Sequence, residues 1–364
     1  MSKKVLYCAS TAGHLVSFHI PYMKKLISDG RTVHGGGRGQ DERLSFLHGW
    51  QELPFEKSIT SPGNFLVAFR LAKILKREKY DLILVHTSLA AFFVRLAVML
   101  AGKGKTKVVN TVHGYLFDEN TGALKRKLLL TAEKITAKCT DRVIVMNRQD
   151  MEIAKKYRLS GGDVVFISGM GVDMTPYSPA SPQAKVEARR QLQIPDDAFV
   201  MVFAAEFSGR KNQSMLISAM KLLPENTVLL LPGRGELLES CKTQAEDLGN
   251  RVRLPGFVTD MSKYYMAADI CVSSSRSEGL PFNLMEAMAC GLPIVATEVK
   301  GHEDLVTDGE NGYLFPYGDK AAFADAVKKI MTSGTEAMSK AAIDRAQQYA
   351  LDKVLPETYE KMVI

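Results

Sequence analysis

The chain alternates between short apolar runs and longer mixed segments in which apolar residues recur at helical spacing. In the first half, strand-like runs occupy residues 5–9, 81–86, 107–112, 142–146 and 164–167. Helix-like segments lie between them, near residues 65–77, 89–101, 124–138 and 149–157. The runs show little alternation of polar and apolar residues, which is typical of strands that are buried on both faces of a parallel sheet. The first half is therefore predicted to be an α/β domain.

The same alternation restarts after residues 175–182, which hold three prolines among small polar residues and are typical of a linker. Strand-like runs then follow at residues 199–204, 228–231, 252–254, 270–273 and 293–296. A chain of 364 residues is long enough for two domains. We therefore predict one domain over residues 1–175 and another over residues 183–345, with a ligand cleft between them.

Charge narrows the choice of partners. The formal net charge is +7, which favours anionic ligands, but basic and aromatic residues are not interleaved as in single-strand binders. We expect no nucleic-acid partner. The segment 124–138 carries five basic residues against one acid, together with leucines and an isoleucine. Such a helix either lies on an anionic membrane or packs its apolar side into the domain core, and Phe92, Phe93 and Arg95 pose the same choice.

Cysteine usage and hydropathy indicate the compartment. The five cysteines are scattered through mostly apolar runs without a C-x-x-C pair, as expected of buried thiols in a reducing environment. The longest apolar stretch, residues 89–101, is interrupted by Arg95 and is shorter than the roughly 20 residues that span a bilayer. We expect a cytoplasmic protein, with peripheral contact to the inner face of the membrane as a further hypothesis.

The segment 277–297, SEGLPFNLMEAMACGLPIVAT, places Glu278 and Glu286 on either side of a predicted helix start at Pro281. A helix N-terminus offers backbone N–H groups and a partial positive charge. A phosphate or sugar oxygen is therefore predicted to bind around this helix start, at Leu280, Pro281, Phe282, Asn283 and Leu284. The alternative is that either glutamate simply lies on a solvated helix face.

A second candidate is the pair Arg210 and Lys211, which follows the first predicted strand of the second half. Two cations there would offset the charge of a diphosphate and stabilise it as a leaving group. An ordinary solvated basic turn is the alternative. His113 ends a predicted strand of the first half and is either a ligand contact or a buried core histidine.

Several chemistries lack their signatures. The sequence contains no G-x-S-x-G elbow, no G-x-x-x-x-G-K-[ST] loop and no G-x-G-x-x-G turn at Gly233. The histidines lack a metal-ligand spacing with acidic or cysteine partners, so we predict no metal site.

The segment 277–297 resembles the E-x7-E segment of glycosyltransferase family 4, and the match extends through EAMACGLPIVAT. The resemblance covers nearly the whole chain and is strongest over residues 199–314. It implies the GT-B fold, in which two Rossmann-like, doubly wound parallel-sheet domains face each other across a cleft. It also implies that the tail, residues 346–364, packs back on the first domain.

The resemblance implies roles for the charged residues. Glu286 would hold the ribose of a donor nucleotide, and Glu278 would face the transferred sugar. Lys211 would clasp the donor diphosphate, and Arg210 would replace an arginine of the family pattern, whose place is taken by Glu206.

The resemblance also implies ligand contacts elsewhere in the chain. His113 would hydrogen-bond a sugar hydroxyl near the anomeric carbon. Gly13, in a loop where Ala12 replaces the usual second glycine, would bring backbone N–H groups to the donor phosphate. Gly233 would form the glycine-rich turn before a helix, and Phe257 and Val258 would contact the base.

The implied activity is retaining transfer of a hexose from a nucleoside-diphosphate sugar, with UDP the favoured nucleotide and no metal or other cofactor. The implied acceptor is a saccharide, either growing or linked to polyprenyl diphosphate, as in the synthesis of capsule or exopolysaccharide. Two alternatives are a nucleotide-sugar epimerase of the same fold and a non-catalytic scaffold subunit that binds nucleotide sugar.

Overall fold

The computed structural model describes residues 3–117 and 121–364. Contacts divide the chain into two compact units, one formed by Met1–Met170 with Asp352–Ile364 and the other by Gly171–Leu351. The expected boundaries at residues 175 and 346 are therefore shifted. A β-bridge between Val172 and Ala350 explains the shift. It pairs the segment that enters the second unit with the segment that leaves it, so both segments belong to that unit.

The first unit contains a parallel sheet of seven strands within the described residues. The strands are β1 (Lys4–Thr11), β2 (Thr32–Arg38), β3 (Gly49–Glu52), β4 (Leu82–His86), β5 (Lys107–Val112), β6 (Arg142–Val145) and β7 (Asp163–Phe166). Their order, β3-β2-β1-β4-β5-β6-β7, is doubly wound, so the chain reverses direction across the sheet beside β1 and β4. Ligands in such sheets bind at the carboxyl ends of the strands near this switch point.

The helices of the first unit are α1 (Ala12–Phe18), α2 (Ile20–Ser28), α3 (Pro62–Glu78), α4 (Ser88–Ala101), α5 (Ala123–Ala137), α6 (Arg148–Tyr157) and α14 (Leu351–Met362). The tail helix α14 is tied to this unit by Thr358, whose hydroxyl donates to the Gly169 carbonyl, and by Tyr359, whose hydroxyl donates to Asp29 at 2.6 Å. No helix within the described residues is both long and apolar enough to cross a bilayer.

The second unit contains a parallel sheet of six strands within the described residues, ordered β10-β9-β8-β11-β12-β13. The strands are β8 (Phe199–Val202), β9 (Thr227–Pro232), β10 (Val252–Gly256), β11 (Ile270–Ser273), β12 (Ile294–Thr297) and β13 (Gly312–Phe315). The helices are α7 (Pro182–Gln191), α8 (Gln213–Ala219), α9 (Leu238–Ala245), α10 (Ser262–Ala267), α11 (Phe282–Ala289), α12 (Lys320–Ser333) and α13 (Glu336–Ala346). The predicted pair of Rossmann-like parallel-sheet domains is confirmed.

Three strands, β2, β3 and β13, were not predicted from the apolar pattern. β2 contains three consecutive glycines, which are unusual in a strand. A Cβ atom on Gly35 would lie 2.6 Å from the ring of Trp50, and one on Gly36 would lie 2.9 Å from the sulfur of Cys8. The glycines therefore make room for neighbouring strands and side chains rather than breaking the sheet.

The sequence left open whether Phe93 and Arg95 of α4 face a membrane or the domain core. Phe93 and Arg95 are fully buried, so they belong to the core rather than to a membrane-facing surface. Arg95 pairs with Glu133 of α5 at 2.8 Å and donates to the Ala91 carbonyl. A buried charge is tolerated because it is paired and hydrogen-bonded, and this pair fixes α5 against α4.

Candidate functional site

Two cations and one carboxylate, Arg210, Lys211 and Glu278, form a charge cluster in the second unit. Lys211 Nζ lies 2.6 Å from Glu278 Oε1, and Arg210 Nη1 lies 2.9 Å from Oε2. The Lys211 and Glu278 side chains are 12% and 8% exposed, whereas Arg210 is 50% exposed. Residues far apart in the sequence therefore meet where the first and fourth strands of the unit end.

Hydrogen bonds and close packing hold the charge cluster in place. The Ser274 hydroxyl, just after β11, donates to the carbonyls of Lys211 and Asn212 at 2.9 Å each. Asn212 itself adopts a left-handed conformation with φ of 54°, which turns the chain into α8. Gly301 has φ of +81°, and a Cβ there would lie 2.7 Å from the Gly279 carbonyl oxygen. A glycine at this position therefore lets the Glu278 loop pack closely.

The electrostatics of the charge cluster favour the ionised pair. Burial alone would raise the pKa of Glu278, but the charges of Lys211 and Arg210 outweigh it and lower that pKa to about 2. Burial lowers the pKa of Lys211, and the Glu278 carboxylate opposes that shift. The cluster thus presents positive charge that is only partly neutralised by its own carboxylate.

Helix α11 begins beside Glu278, but one residue later than expected. Pro281 is the N-cap, with an extended ψ of 117°, and the first helical residue is Phe282. The side chains of Leu280 and Leu284 are buried, so a ligand at this helix start would meet their backbone rather than their side chains. Asn283 turns its amide to the Ala204 carbonyl after β8, which ties the helix start to the strand end.

Glu286 lies one turn into α11 in a pocket of tyrosines. Its Oε2 accepts a hydrogen bond from the Tyr265 hydroxyl at 2.9 Å, and Tyr177 is a further hydrogen-bond partner. Burial raises the pKa of Glu286 to about 7, and the two tyrosine hydroxyls oppose that shift. This carboxyl group is therefore balanced between its two protonation states near neutral pH.

Two loops at the ends of β9 and β10 join beside the sheet. The Gly233 amide donates to the Gly256 carbonyl at 2.7 Å. A Cβ on Gly233 would lie 2.0 Å from the Ala205 carbonyl oxygen, so only glycine fits there. Phe257 is 62% exposed, and the Arg234 guanidinium lies 4.7 Å from its ring centroid. Val258, the next predicted site residue, is half-buried.

The two site residues predicted in the first unit lie near its switch point. Gly13 belongs to the first turn of α1 rather than to a loop, and an added Cβ would meet nothing closer than 4.0 Å. A residue with a side chain would therefore fit at position 13 in this structure, so the space around Gly13 does not require glycine. His113 follows β5, and its Nε2 lies 3.3 Å from Nδ1 of His86.

Sequence reasoning missed several polar residues around these positions. Tyr177 and Tyr265 hydrogen-bond Glu286, and neither lies in a recognisable motif. His302 is fully buried, with Nε2 3.1 Å from the Ser273 hydroxyl and Nδ1 2.8 Å from the Thr297 carbonyl oxygen. It lies next to Gly301 and supports the strand ends below Glu278. Only a spatial signal could have found these residues.

Comparisons with known proteins match each half of the chain to a family model. Residues 31–174 match "Glycosyltransferase Family 4", and residues 184–349 match "Glycosyl transferases group 1". EpsD of Bacillus subtilis (strain 168) is 34% identical over 335 residues, which cover 91% of this chain and 88% of EpsD. The chain is a member of glycosyltransferase family 4.

Other family members extend the comparison. The UDP-Gal:alpha-D-GlcNAc-diphosphoundecaprenol alpha-1,3-galactosyltransferase of Escherichia coli is 29% identical over 268 residues, which cover 71% of this chain and 68% of that enzyme. The crystal structure of Anabaena HepE in complex with UDP superposes with a TM-score of 0.79 at 21% identity, over 99% of both chains. The GT-B fold is thereby confirmed. This family 4 member is a glycosyltransferase that uses a nucleotide sugar.

Proposed function

We propose that this glycosyltransferase moves a hexose from a UDP-sugar to a saccharide hydroxyl with retention of anomeric configuration, and that it needs no metal. The observation that carries the proposal is the charge cluster, in which Arg210 and Lys211 converge on Glu278 at the start of α11. UDP is favoured because HepE, a structural neighbour, was crystallised with it.

The charge cluster can do the work that a metal ion does in other transferases. A donor diphosphate placed against Lys211 and Arg210 would have its negative charge offset as the bond to the sugar breaks. Glu206 occupies the position of an arginine in the family pattern, and Arg210 takes over the role of that arginine. The Arg210 guanidinium is half exposed and can donate two parallel hydrogen bonds to a phosphate. The N-terminus of α11 adds backbone N–H groups to the same anion.

Retention follows if the acceptor attacks from the face that the diphosphate leaves. The bond between the anomeric carbon and the diphosphate oxygen breaks, and a bond to the acceptor oxygen forms on the same side. The acceptor's proton passes to the departing diphosphate, which leaves as UDP. Glu278 stays ionised, because its pKa is about 2, and accepts hydrogen bonds from sugar hydroxyls. His113 contacts a hydroxyl near the anomeric carbon, and positioning supplies much of the rate.

The proposed acceptor is a growing or polyprenyl-diphosphate-linked saccharide in the synthesis of a cell-surface polysaccharide such as capsule or exopolysaccharide. The Escherichia coli relative supports this class, since its name gives a diphosphoundecaprenol-linked acceptor. The basic helix α5 supports it as well, because such an acceptor carries negative charge next to a membrane.

A melting screen tests the donor class. The purified protein is heated with UDP, GDP, ADP and their sugars, both without added metal and with EDTA. A ligand that binds only the folded state raises the free energy of unfolding by about 2.7 kcal/mol when its concentration is a hundredfold above its dissociation constant. We expect UDP and one UDP-sugar to raise the melting temperature equally in both conditions.

The same screen separates the alternatives. A shift that EDTA abolishes would overturn the metal-free mechanism, and no shift with any nucleotide would favour a scaffold subunit. Incubating the donor alone and analysing the recovered sugar tests the remaining alternative, since formation of an epimer would identify an epimerase.

Glu286 gives a prediction about pH. A ribose hydroxyl that donates to this carboxylate favours its ionised form, so donor binding should lower its pKa from about 7 and release a proton. The affinity for a UDP-sugar should therefore rise as the pH is raised to about 7 and level off above it. A UDP-sugar is used because its phosphodiesters do not titrate in this range. Calorimetry in two buffers of different ionisation enthalpy measures the proton release.

The matched variant is Glu286→Gln, which keeps the shape of the side chain but cannot titrate. It should bind the donor more weakly and without proton release. Equal proton release by this variant and the wild type would show that Glu286 does not hold the ribose.

We also propose peripheral contact with an anionic membrane through α5. Leu124, Leu128 and Ile135 are exposed on this helix, and Leu124 is 84% exposed. The inward acid Glu133 is neutralised by Arg95, which leaves the outer face of α5 basic. Each basic residue near an anionic surface contributes about 1 kcal/mol to the free energy of membrane binding.

A flotation assay tests this contact. The wild-type protein should float with anionic liposomes, whereas the double variant Leu124→Ser, Leu128→Ser should stay in the bottom fraction. A wild type that stays in solution would contradict the proposal.

A further inference from the structure

Four histidines gather in the first unit at the carboxyl ends of adjacent strands. His14 belongs to α1 directly after β1, His19 is the C-cap residue after that helix, His86 ends β4, and His113 follows β5. Because β1, β4 and β5 are neighbours in the parallel sheet, their carboxyl ends bring these side chains together. The prediction of no metal site rested on spacing along the chain, which does not reveal such a group.

Three of these side chains are close enough to share one ion. His14, His19 and His113 each offer a ring nitrogen, and the three nitrogens all lie within 4.8 Å of one another. The ring centroids are 4.9 Å apart for His14 and His113, 5.1 Å for His14 and His19, and 5.3 Å for His19 and His113. Tetrahedral Zn²⁺ with Zn–N bonds of about 2.0–2.1 Å needs nitrogens about 3.3 Å apart, so an approach of at most about 1.5 Å would complete the site.

Burial disfavours the charged form of these imidazoles, and the neutral form is the one that ligates metal. Burial lowers the pKa of His14 to about 4 and the pKa values of His19 and His113 well below the usual range, and the neighbouring histidines lower those of His19 and His113 further. Neutral rings offer a lone pair to a cation. They offer no positive charge to a phosphate, so an anion is the poorer occupant of this group.

The hydrogen-bonding pattern points in the same direction. Within the described residues, Nε2 of His14, His19 and His86 is buried without a hydrogen-bond partner. His19 is fully buried, and its other nitrogen, Nδ1, lies 3.0 Å from the Tyr7 hydroxyl. Metal-bound histidines typically engage their second nitrogen in this way, which fixes the ring and its tautomer. His86 gives His113 a similar support, with 3.3 Å between Nδ1 and Nε2.

We propose that His14, His19 and His113 bind one divalent transition-metal ion of the Zn²⁺ class, with the fourth position open to water or another ligand. Imidazole ligands suit Zn²⁺, Cu²⁺ and Ni²⁺ rather than Mg²⁺ or Ca²⁺. The three ligands all belong to the first unit, whereas Arg210, Lys211 and Glu278 belong to the second. A His113 nitrogen that holds the ion cannot also contact a sugar, so the two ligands exclude each other at this residue.

Cobalt supplies the direct test, because Co²⁺ in a tetrahedral nitrogen site absorbs visible light strongly, whereas hydrated Co²⁺ absorbs it only weakly. The EDTA-washed full-length protein is titrated with Co²⁺ and then with Zn²⁺. We expect the absorption to saturate at one Co²⁺ per chain and to disappear when Zn²⁺ displaces it. Absence of a saturable signal, together with no heat of Zn²⁺ binding by calorimetry, would overturn the proposal.

Two variants localise the ion. His14→Gln, at a partly exposed position, should weaken Zn²⁺ binding by at least ~10-fold, the loss expected even for removal of an outer-shell partner. His48→Gln, in the same unit but outside the group, should bind as the wild type does. Circular dichroism verifies that both variants are folded. Unchanged affinity in His14→Gln, or equal loss in both variants, would place the ion elsewhere, whatever the outcome of the nucleotide screen.

Discussion

Replacing Lys211 with alanine is expected to lower the rate of sugar transfer by roughly 10²–10³-fold, the usual cost of removing one group that stabilises developing negative charge. Lys211 is nearly buried at the base of the charge cluster, where its charge is screened little by water. Affinity for the donor diphosphate should fall as well. The rate is measured as UDP release from the donor that the melting screen identifies, and the affinity by calorimetry.

The fold should survive this substitution, because Glu278 keeps Arg210 as a partner at 2.9 Å. Lys221→Ala, which removes an exposed lysine from the same unit, is the matched control and should leave both rate and affinity unchanged. If Lys211→Ala transferred sugar as fast as this control, Lys211 would be a structural residue and the proposed grip on the diphosphate would be wrong.

Glu278→Ala is expected to lower the free energy of unfolding by about 3–5 kcal/mol, because it leaves the Lys211 ammonium buried without its closest partner. Transfer should be lost too, since the carboxylate that faces the sugar is gone. Urea denaturation followed by circular dichroism measures the stability.

The stabilisation that Glu278 provides depends on pH in a defined way. The Glu278 pKa is about 2 in the fold against an ordinary 4.5, so its stabilisation is complete above pH 4.5 and disappears as the pH falls toward 2.

A double variant separates the structural role of Glu278 from its role in transfer. Adding Lys211→Met to Glu278→Ala removes the unpaired buried charge, and replacing a buried ion pair by apolar groups is often neutral for stability. Stability should therefore recover while transfer stays lost. A double variant no more stable than Glu278→Ala alone would mean that the destabilisation comes from lost packing around Gly301 and not from the charge.

The placement of Lys211 and Glu278 after strand ends of the second unit was accessible from the sequence for a physical reason. Strand, loop and helix signals place Lys211 and Glu278 at the carboxyl ends of two strands, and a parallel sheet brings such ends to one edge. The start of α11 was misjudged by one residue, because Pro281 is compatible with either position and only the backbone angle decides. Tyr177 and Tyr265 were missed because nothing in their local pattern indicates what a tyrosine hydroxyl will contact.

The first unit shows where sequence patterns become ambiguous. An apolar stretch with an arginine suits a membrane surface as well as a core, and only the pairing of Arg95 with Glu133 decides for the core. The glycine triplet of β2 suggested no strand, because the need for glycine arises from the neighbouring strand, where the Trp50 ring occupies the space of a Cβ on Gly35.

By itself, the sequence determined the alternation of strands and helices, the two-domain organisation and the residues of the charge cluster, because local periodicity and strand-end positions fix these features. Tertiary structure alone decided the raised pKa of Glu286 and the grouping of His14, His19 and His113. Burial sets a pKa, and sheet order sets which loops meet. Both depend on contacts between segments that are distant along the chain, and no local pattern encodes them.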